Sequence, residues 1–244
     1  MVAQHVARDA DIASVASLIA DPTRAAVLTA LLDGRALAAG ELARLAGVTP
    51  ATASAHLSRL LDGGLVTVAS QGRHRYYRLT GPEVAEVLEV LARISPRPAV
   101  RSLRQSRQAR LLEEARTCYD HLAGRAGVRL LAALVDAGYL VGQDAYELTG
   151  SGETALSELG VDVAAARASR RRFAPACLDW TERRPHLAGA LGAAITQALL
   201  ERDWYRHGAS RRVLEPTELG RKGLAAMFSG KELTCSTPVT QARE

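Results

Sequence analysis

Apolar residues in the first part of the chain recur at helical spacing, in segments separated by Gly, Pro and short polar breaks. Ile12, Val15, Leu18 and Ile19 set the first helix. Asp21 suits the cap of a second, with Pro22 at its first position, running to about Leu32 and stopping at Asp33-Gly34. Leu42, Leu45 and Val48 fall on one side of a third helix, with Gly47 where a helix stop needs a left-handed residue. Thr49-Pro50 reads as cap and first residue of a fourth, on which Ala53, Leu57 and Leu60 form one stripe. That stripe leaves Ala51, Thr52, Ser54, Ala55, Ser58 and Arg59 outside it, a short helix with a small, polar outer face. Two short strands follow on either side of Gly72, and a helix starting at Thr80-Gly81-Pro82 carries Val84, Val87, Leu88, Leu91 and Ile94. Ser95-Pro96-Arg97-Pro98 breaks it, because two prolines prevent continuation, and a domain boundary is expected there.

Beyond that boundary, Val100 to about Leu122 reads as one long helix with Arg101, Arg104, Arg107 and Arg110 at every third position. Such a row suits a phosphate-tracking stripe or, more ordinarily, a solvated face. The remainder looks duplicated. His121-Leu122-Ala123-Gly124-x-x-Gly127 recurs as His186-Leu187-Ala188-Gly189-x-x-Gly192, and each is preceded by Cys-x-Asp, at Cys118 to Asp120 and Cys177 to Asp179. An apolar helix, a strand pair opened by an aromatic residue and a Gly-punctuated helix start follow in both. The expected fold is mainly α with small β-hairpin wings. It comprises a winged-helix domain over 1–95, a helical, internally duplicated winged-helix-like domain over 96–230 with copies at about 118–160 and 177–229, and a flexible tail over 231–244.

Composition narrows the classes. Hydrophobic residues make up 48% of the chain but aromatics only 4%, so the cores rest on Ala, Leu and Val, which favours helices. There is no apolar run of membrane-spanning length and no signal-peptide pattern, and three widely spaced cysteines make no secreted disulfide framework, so a cytoplasmic protein with no membrane partner is expected. Residues 1–95 hold nine Arg and nine Asp or Glu, so the net charge of +5 arises beyond them. A local patch suffices for phosphate contact, however, and Gln71 to Arg78 holds three Arg and one His with no acid.

Helix, tight turn, capped helix and basic hairpin occur here in one order. Val48 to Leu60, then Gly63-Gly64-Leu65-Val66 and Gly72-Arg73-x-x-Tyr76-Tyr77-Arg78-Leu79, resembles the ArsR/SmtB-type winged-helix transcription regulators. Asp21-Pro22-Thr23-Arg24 resembles the helix start of the same family, and the resemblance covers about 10–95. It implies a homodimer on an inverted-repeat operator in double-stranded DNA. The implied groove-facing positions are Thr52, Ser54, Ala55, His56 and Ser58, flanked by Thr49 and Arg59, with Arg73, His74 and Arg75 on the wing. Ala55 stands where many relatives carry Arg or Gln, which removes a bidentate base reader. His56 is either a phosphate donor or a packing residue. The family's familiar metal sites do not carry over: Glu41 to Gly47 lacks Cys, and Pro82 to Ile94 lacks His.

No catalytic constellation and no cofactor motif stands out, so a non-enzyme is expected. The expected function is a ligand-responsive repressor. The alternatives are a winged-helix protein–protein adaptor and a metal or thiol sensor. A small-molecule effector is expected in the seam of the duplicated domain, lined by Cys118, Asp120, His121, Cys177, Asp179, Trp180 and His186. No metal is expected, since the packing of Cys and His in a helix–helix seam is the simpler reading. A tetrahedral site from Cys118, His121, Cys177 and His186 is the alternative.

Overall fold

The computed structural model describes residues 10–96, 102–208 and 212–228. The chain divides into two compact units, 1–96 and 97–244.

The first unit is built from capped helices and one small sheet. Helix α1 (Ile12–Ile19) starts at Asp11, whose carboxylate accepts from the Ser14 amide. Helix α2 (Pro22–Ala30) starts at Asp21, which accepts from the Arg24 amide at 2.9 Å. The Arg24 guanidinium then donates to the carbonyls of Leu18 at 2.6 Å and Ser17 at 2.8 Å. Those carbonyls end α1 and have no partner within it, so the Asp-Pro-x-Arg motif joins two helices by satisfying both ends at one corner. A strand the pattern did not foretell, β1 (Leu37–Ala38), leads into α3 (Ala39–Ala46), which stops at Gly47 with φ +68°. Helix α4 (Pro50–Asp62) begins at Thr49, whose hydroxyl accepts from the Thr52 amide at 3.2 Å.

Strands β2 (Val66–Gln71) and β3 (His74–Leu79) pair antiparallel from Val66 opposite Leu79 to Gln71 opposite His74. The two-residue turn needs positive φ at Gly72, which has +57°. Strand β1 adds to the other edge of β3. Helix α5 (Pro82–Ile94) closes the unit. Leu28, Leu31, Leu42, Leu57, Leu60 and Leu79 are fully buried between these elements. Each contributes about 1.5–3 kcal/mol by leaving water. Leu45, placed by the pattern on the inner side of α3, is instead 47% exposed.

The second unit departs from the expected long helix over 100–122. Helix α6 (Leu103–Glu114) starts at Ser102 and ends at Ala115, which is extended. Strand β4 (Arg116–Cys118) then turns through Tyr119 and Asp120 into β5 (His121–Ala123). Tyr119 takes φ +60° at the turn. All six strand residues are buried, and the left-handed backbone at Tyr119 turns the chain back on itself, which a continuing right-handed helix does not allow. Cys118 and His121 are therefore cross-strand partners rather than neighbours on a helix.

After this hairpin come α7 (Gly124–Asp136), the strands β6 (Leu140–Gly142) and β7 (Tyr146–Leu148), and α8 (Gly150–Glu158). Helix α9 (Val163–Ala168) separates them from a second run with the same order of elements. That run is β8 (Ala176–Leu178), β9 (Pro185–Leu187), α10 (Gly189–Glu201), β10 (Tyr205–His207), β11 (Leu214–Pro216) and α11 (Glu218–Met227). One apolar cluster unites both runs, with Leu131, Leu134, Leu140 and Leu156 of the first against Leu187, Leu191, Ile195 and Leu199 of the second. The runs also exchange backbone hydrogen bonds. Leu214 N–H donates to the Ala115 carbonyl at 3.0 Å, and Tyr146 N–H to the Ala174 carbonyl at 2.8 Å.

On α6, Arg104, Arg107 and Arg110 are exposed; Arg101, the expected tail over 231–244 and Cys235 lie outside the described residues. Among the described residues no helix is long and apolar enough to cross a membrane.

Candidate nucleic-acid interface and a buried thiol–imidazole cluster

Helix α4 turns one side inward and one outward. Ala53, Leu57 and Leu60 are buried, while Thr49, Thr52, Ser54, Ala55, Ser58 and Arg59 are exposed. His56 does not join them: it is half-buried, with Nδ1 at 3.6 Å from the Asp21 carboxylate. It thus faces the start of α2 from α4. Arg73, His74 and Arg75 are exposed at the wing tip, and the Arg75 guanidinium lies 5.6 Å from the centroid of the Tyr77 ring. The first unit therefore offers a short helix with hydroxyl-bearing, small side chains and a cationic hairpin. These are the shapes and charges that major-groove edges and phosphates accept.

The residues expected to line an effector seam are placed unequally. Asp179 is fully buried and saturated. One oxygen accepts from Arg116 Nη2 at 2.9 Å and the Gly124 amide at 2.7 Å. The other accepts from the Thr181 amide at 2.9 Å, the Thr181 hydroxyl at 2.6 Å and the Glu182 amide at 3.1 Å. Burial alone would raise its pKa, but Arg116 and these donors outweigh that and hold the carboxyl far below the usual range. Arg116, also fully buried, donates to the Leu112 carbonyl and stacks 4.7 Å from the Trp180 ring centroid. Asp120 is paired with Arg171. Asp120, Asp179 and Trp180 are thus engaged with the protein itself.

Cys118, His121, Cys177 and His186 come together. Each hairpin sets a Cys directly opposite a His, Cys118 across from His121 and Cys177 across from His186, and β5 lies against β9. One ligand atom from each of the four lies within 4.8 Å of the others. The two sulfurs are 4.0 Å apart, and the imidazole centroids 5.1 Å apart with planes at 28°. No ring nitrogen of His121 or His186 has a hydrogen bond, although a carboxylate oxygen stands 3.5 Å from each Nδ1, Asp120 for His121 and Asp179 for His186. The Cys118 thiol, followed by the two imidazoles, holds the Cys177 thiol well below its ordinary pKa against the opposing effect of burial.

The backbone makes this approach feasible. A Cβ on Gly127 would stand 2.4 Å from the Leu122 carbonyl oxygen and 3.4 Å from the His186 Cβ; on Gly192, 2.5 Å from the Leu187 oxygen and 3.3 Å from the His121 Cβ. Gly124 and Gly189 sit at φ +76° and +74°, where each hairpin hands over to its helix. Sequence reasoning missed Arg116, Thr181 and Thr196. The Thr196 hydroxyl accepts from the Leu122 amide at 2.8 Å and so ties β5 to α10. No periodicity marks these residues; only the Cys-x-Asp and His-Leu-Ala-Gly repeats pointed to their neighbourhood.

Comparison with known proteins adds to this geometry. Residues 19–69 match the family described as a helix-turn-helix domain. The chain is 45% identical over 212 residues to the uncharacterized HTH-type transcriptional regulator YdfF of Bacillus subtilis, covering 86% of this chain and 94% of that one. It is 38% identical over 87 residues to the HTH-type transcriptional regulator CmtR of Mycobacterium bovis, covering 36% of this chain and 73% of that one. Among solved structures, the cadmium metal-sensor CMTR of Mycobacterium tuberculosis is 36% identical, with a TM-score of 0.30, covering 36% of this chain and 97% of that one. The likeness to YdfF spans both units. The chain belongs to the HTH-type transcriptional regulators.

Proposed function

We propose that this regulator is a ligand-responsive repressor that binds an inverted-repeat operator as a homodimer. The observation that carries the reading is the pairing of an outward polar face on α4 with an exposed Arg73-His74-Arg75 wing tip. Thr52, Ser54, Ala55, Ser58 and Arg59 enter the major groove, and Arg73 and Arg75 meet phosphate or the minor groove beside it. The short hydroxyls discriminate bases weakly, so DNA shape and the wing carry a large share of recognition.

Dimerisation follows from what the first unit leaves uncovered. Helix α1 has no buried residue, with Ile12 75% and Val15 40% exposed, and Val87, Val90 and Ile94 stand exposed on α5. A second copy covering these faces sets two α4 helices about one DNA turn, roughly 34 Å, apart. The second unit reads as an internal duplication whose two runs clasp each other and serve as the regulatory module.

The test is the salt dependence of DNA binding. Arg73→Ala with Arg75→Ala weakens binding to all sequences and flattens the slope of log affinity against log salt by about one to two units. An unchanged slope removes the wing from the interface.

A further inference from the structure

The second unit holds a cluster that the DNA-binding reading does not use. Cys118, His121, Cys177 and His186 bring two sulfurs and two imidazoles within 4.8 Å of one another, in a place where His121, His186 and Cys118 are almost wholly buried. Ordinary packing does not account for it. Buried polar groups in folded proteins are nearly always hydrogen-bonded, yet all four ring nitrogens here lack a hydrogen bond. Nor does a packed organic effector account for it, since ligand atoms this close leave room for an ion and not for a molecule between them. We propose that these four residues bind a single zinc ion that locks the two runs of the second unit together.

The dimensions fit. A tetrahedral zinc ion with Zn–S bonds of about 2.3 Å sets its two sulfurs about 3.8 Å apart. The Cys118 and Cys177 sulfurs are 4.0 Å apart, whereas a disulfide requires about 2.05 Å. Nδ1 of each imidazole faces a carboxylate, Asp120 for His121 and Asp179 for His186, which leaves Nε2 to the ion. With an ion on Nε2, closing those 3.5 Å separations to a hydrogen bond would give the carboxylate–histidine–zinc arrangement that fixes the tautomer and orients the ring. Charge balances as well. Asp179 is already compensated by Arg116 and Asp120 by Arg171, so a divalent ion neutralises two thiolates with nothing left over. Two thiolates and two imidazoles in a closed tetrahedral set select zinc over calcium or magnesium, which prefer oxygen ligands. Four protein ligands leave no open coordination position, so the ion is structural rather than catalytic.

The position of the ligands says what the ion does. Cys118 and His121 come from the first hairpin, Cys177 and His186 from the second, and the hairpins belong to different runs. One ion therefore crosslinks two hairpins about 60 residues apart in the chain, adding to the Arg116–Asp179 pair and the Leu122–Thr196 hydrogen bond that already tie the runs. The site differs from any in the winged helix, whose α3 has no Cys and whose α5 has no His.

The test uses the full chain, purified with its thiols reduced and treated with a chelator. Titration with cobalt(II) is expected to produce the ligand-field bands of a tetrahedral ion and a thiolate-to-cobalt charge-transfer band, saturating at one ion per chain; zinc then bleaches both. Cys118→Ser with Cys177→Ser loses the charge-transfer band although Cys235 remains, and His121→Ala weakens binding at least tenfold. Because these variants can misfold, the wild-type chain provides a second readout. Zinc slows alkylation of Cys118 and Cys177, followed by mass spectrometry, at least tenfold. Octahedral bands, full retention of the charge-transfer band in the double serine variant, or alkylation unaffected by zinc would each overturn the proposal. So would a Cys118–Cys177 disulfide that forms in air in a chain that takes up no metal, since it would assign the pair to redox chemistry.

Discussion

Asp179→Ala removes the acceptor on which the hairpin of the second run is built. The side chain is fully buried and accepts from Arg116, the Gly124 amide, both donors of Thr181 and the Glu182 amide. Arg116 is itself fully buried, so its guanidinium is left charged and uncompensated, which costs about 3–5 kcal/mol. Gly124 is buried too, and its orphaned amide adds about 1–3 kcal/mol. Water reaches the half-buried Thr181 and Glu182, so their amides add little. The sum, about 4–8 kcal/mol, is comparable to the whole stability of a domain this size. Trp180 and Trp204, the two tryptophans of the chain, both lie in the second unit, so urea unfolding followed by tryptophan fluorescence reports that unit. The expected result is a transition lost or moved to much lower urea. Arg116→Met combined with Asp179→Leu recovers part of the loss, because no charge is left unpaired. A shift below about 1 kcal/mol for Asp179→Ala, the size of an ordinary surface effect, would refute the hub assignment.

Other outcomes follow from single contacts. Gly127→Ala and Gly192→Ala place a methyl 2.4 and 2.5 Å from a backbone carbonyl oxygen and are expected to cost about 1–3 kcal/mol each, while Gly150→Ala, with open space around it, stays within about 0.5 kcal/mol on the same fluorescence assay. Equal effects at all three would contradict the tight packing of each hairpin on the helix that follows it. Tyr205 is buried, and burial, with Glu114 adding to it, pushes its phenol up to about 12. The folded pKa exceeds the unfolded one, so this contribution is complete below the unfolded value and is lost as pH rises toward 12. Tyr205→Phe is therefore expected to lose less stability than the wild type between about pH 10 and 12, and parallel losses in the two proteins would count against a buried, neutral phenol.

The winged helix was legible because its signals are local. Thr49 caps, Pro50 starts, Gly47 stops and Leu57 faces inward through interactions spanning no more than a turn of helix. The later hairpin of each run was legible from its aromatic start and turn, at Tyr146–Leu148 and near Tyr205, whereas β4-β5 and β8-β9 were hidden because neither carries an alternating pattern or a Gly-marked turn. Leu, Gln and Glu carry a true helix to Glu114, and nothing in Arg116-Thr117-Cys118 announces that all three residues are buried. The recurring His-Leu-Ala-Gly was visible as a spacing, and it pointed to four Cys and His residues that do come together, though by another geometry than the expected one. A Cys and a His three apart share a helix face, but here they face each other across two strands. Arg116 was invisible for a different reason: its partner Asp179 lies 63 residues away, and no local pattern encodes so distant a pair.

An outward polar helix and a basic wing are proposed to bind specific DNA. The most direct measurement mixes the full chain with fragments of the source genome at physiological salt and sequences what is retained. The expected result is enrichment of fragments that share an inverted repeat with half-sites about one helical turn apart, and loss of that enrichment for Arg73→Ala with Arg75→Ala. Retention no greater than that of random competitor DNA, or enrichment that survives the double substitution unchanged, would contradict it.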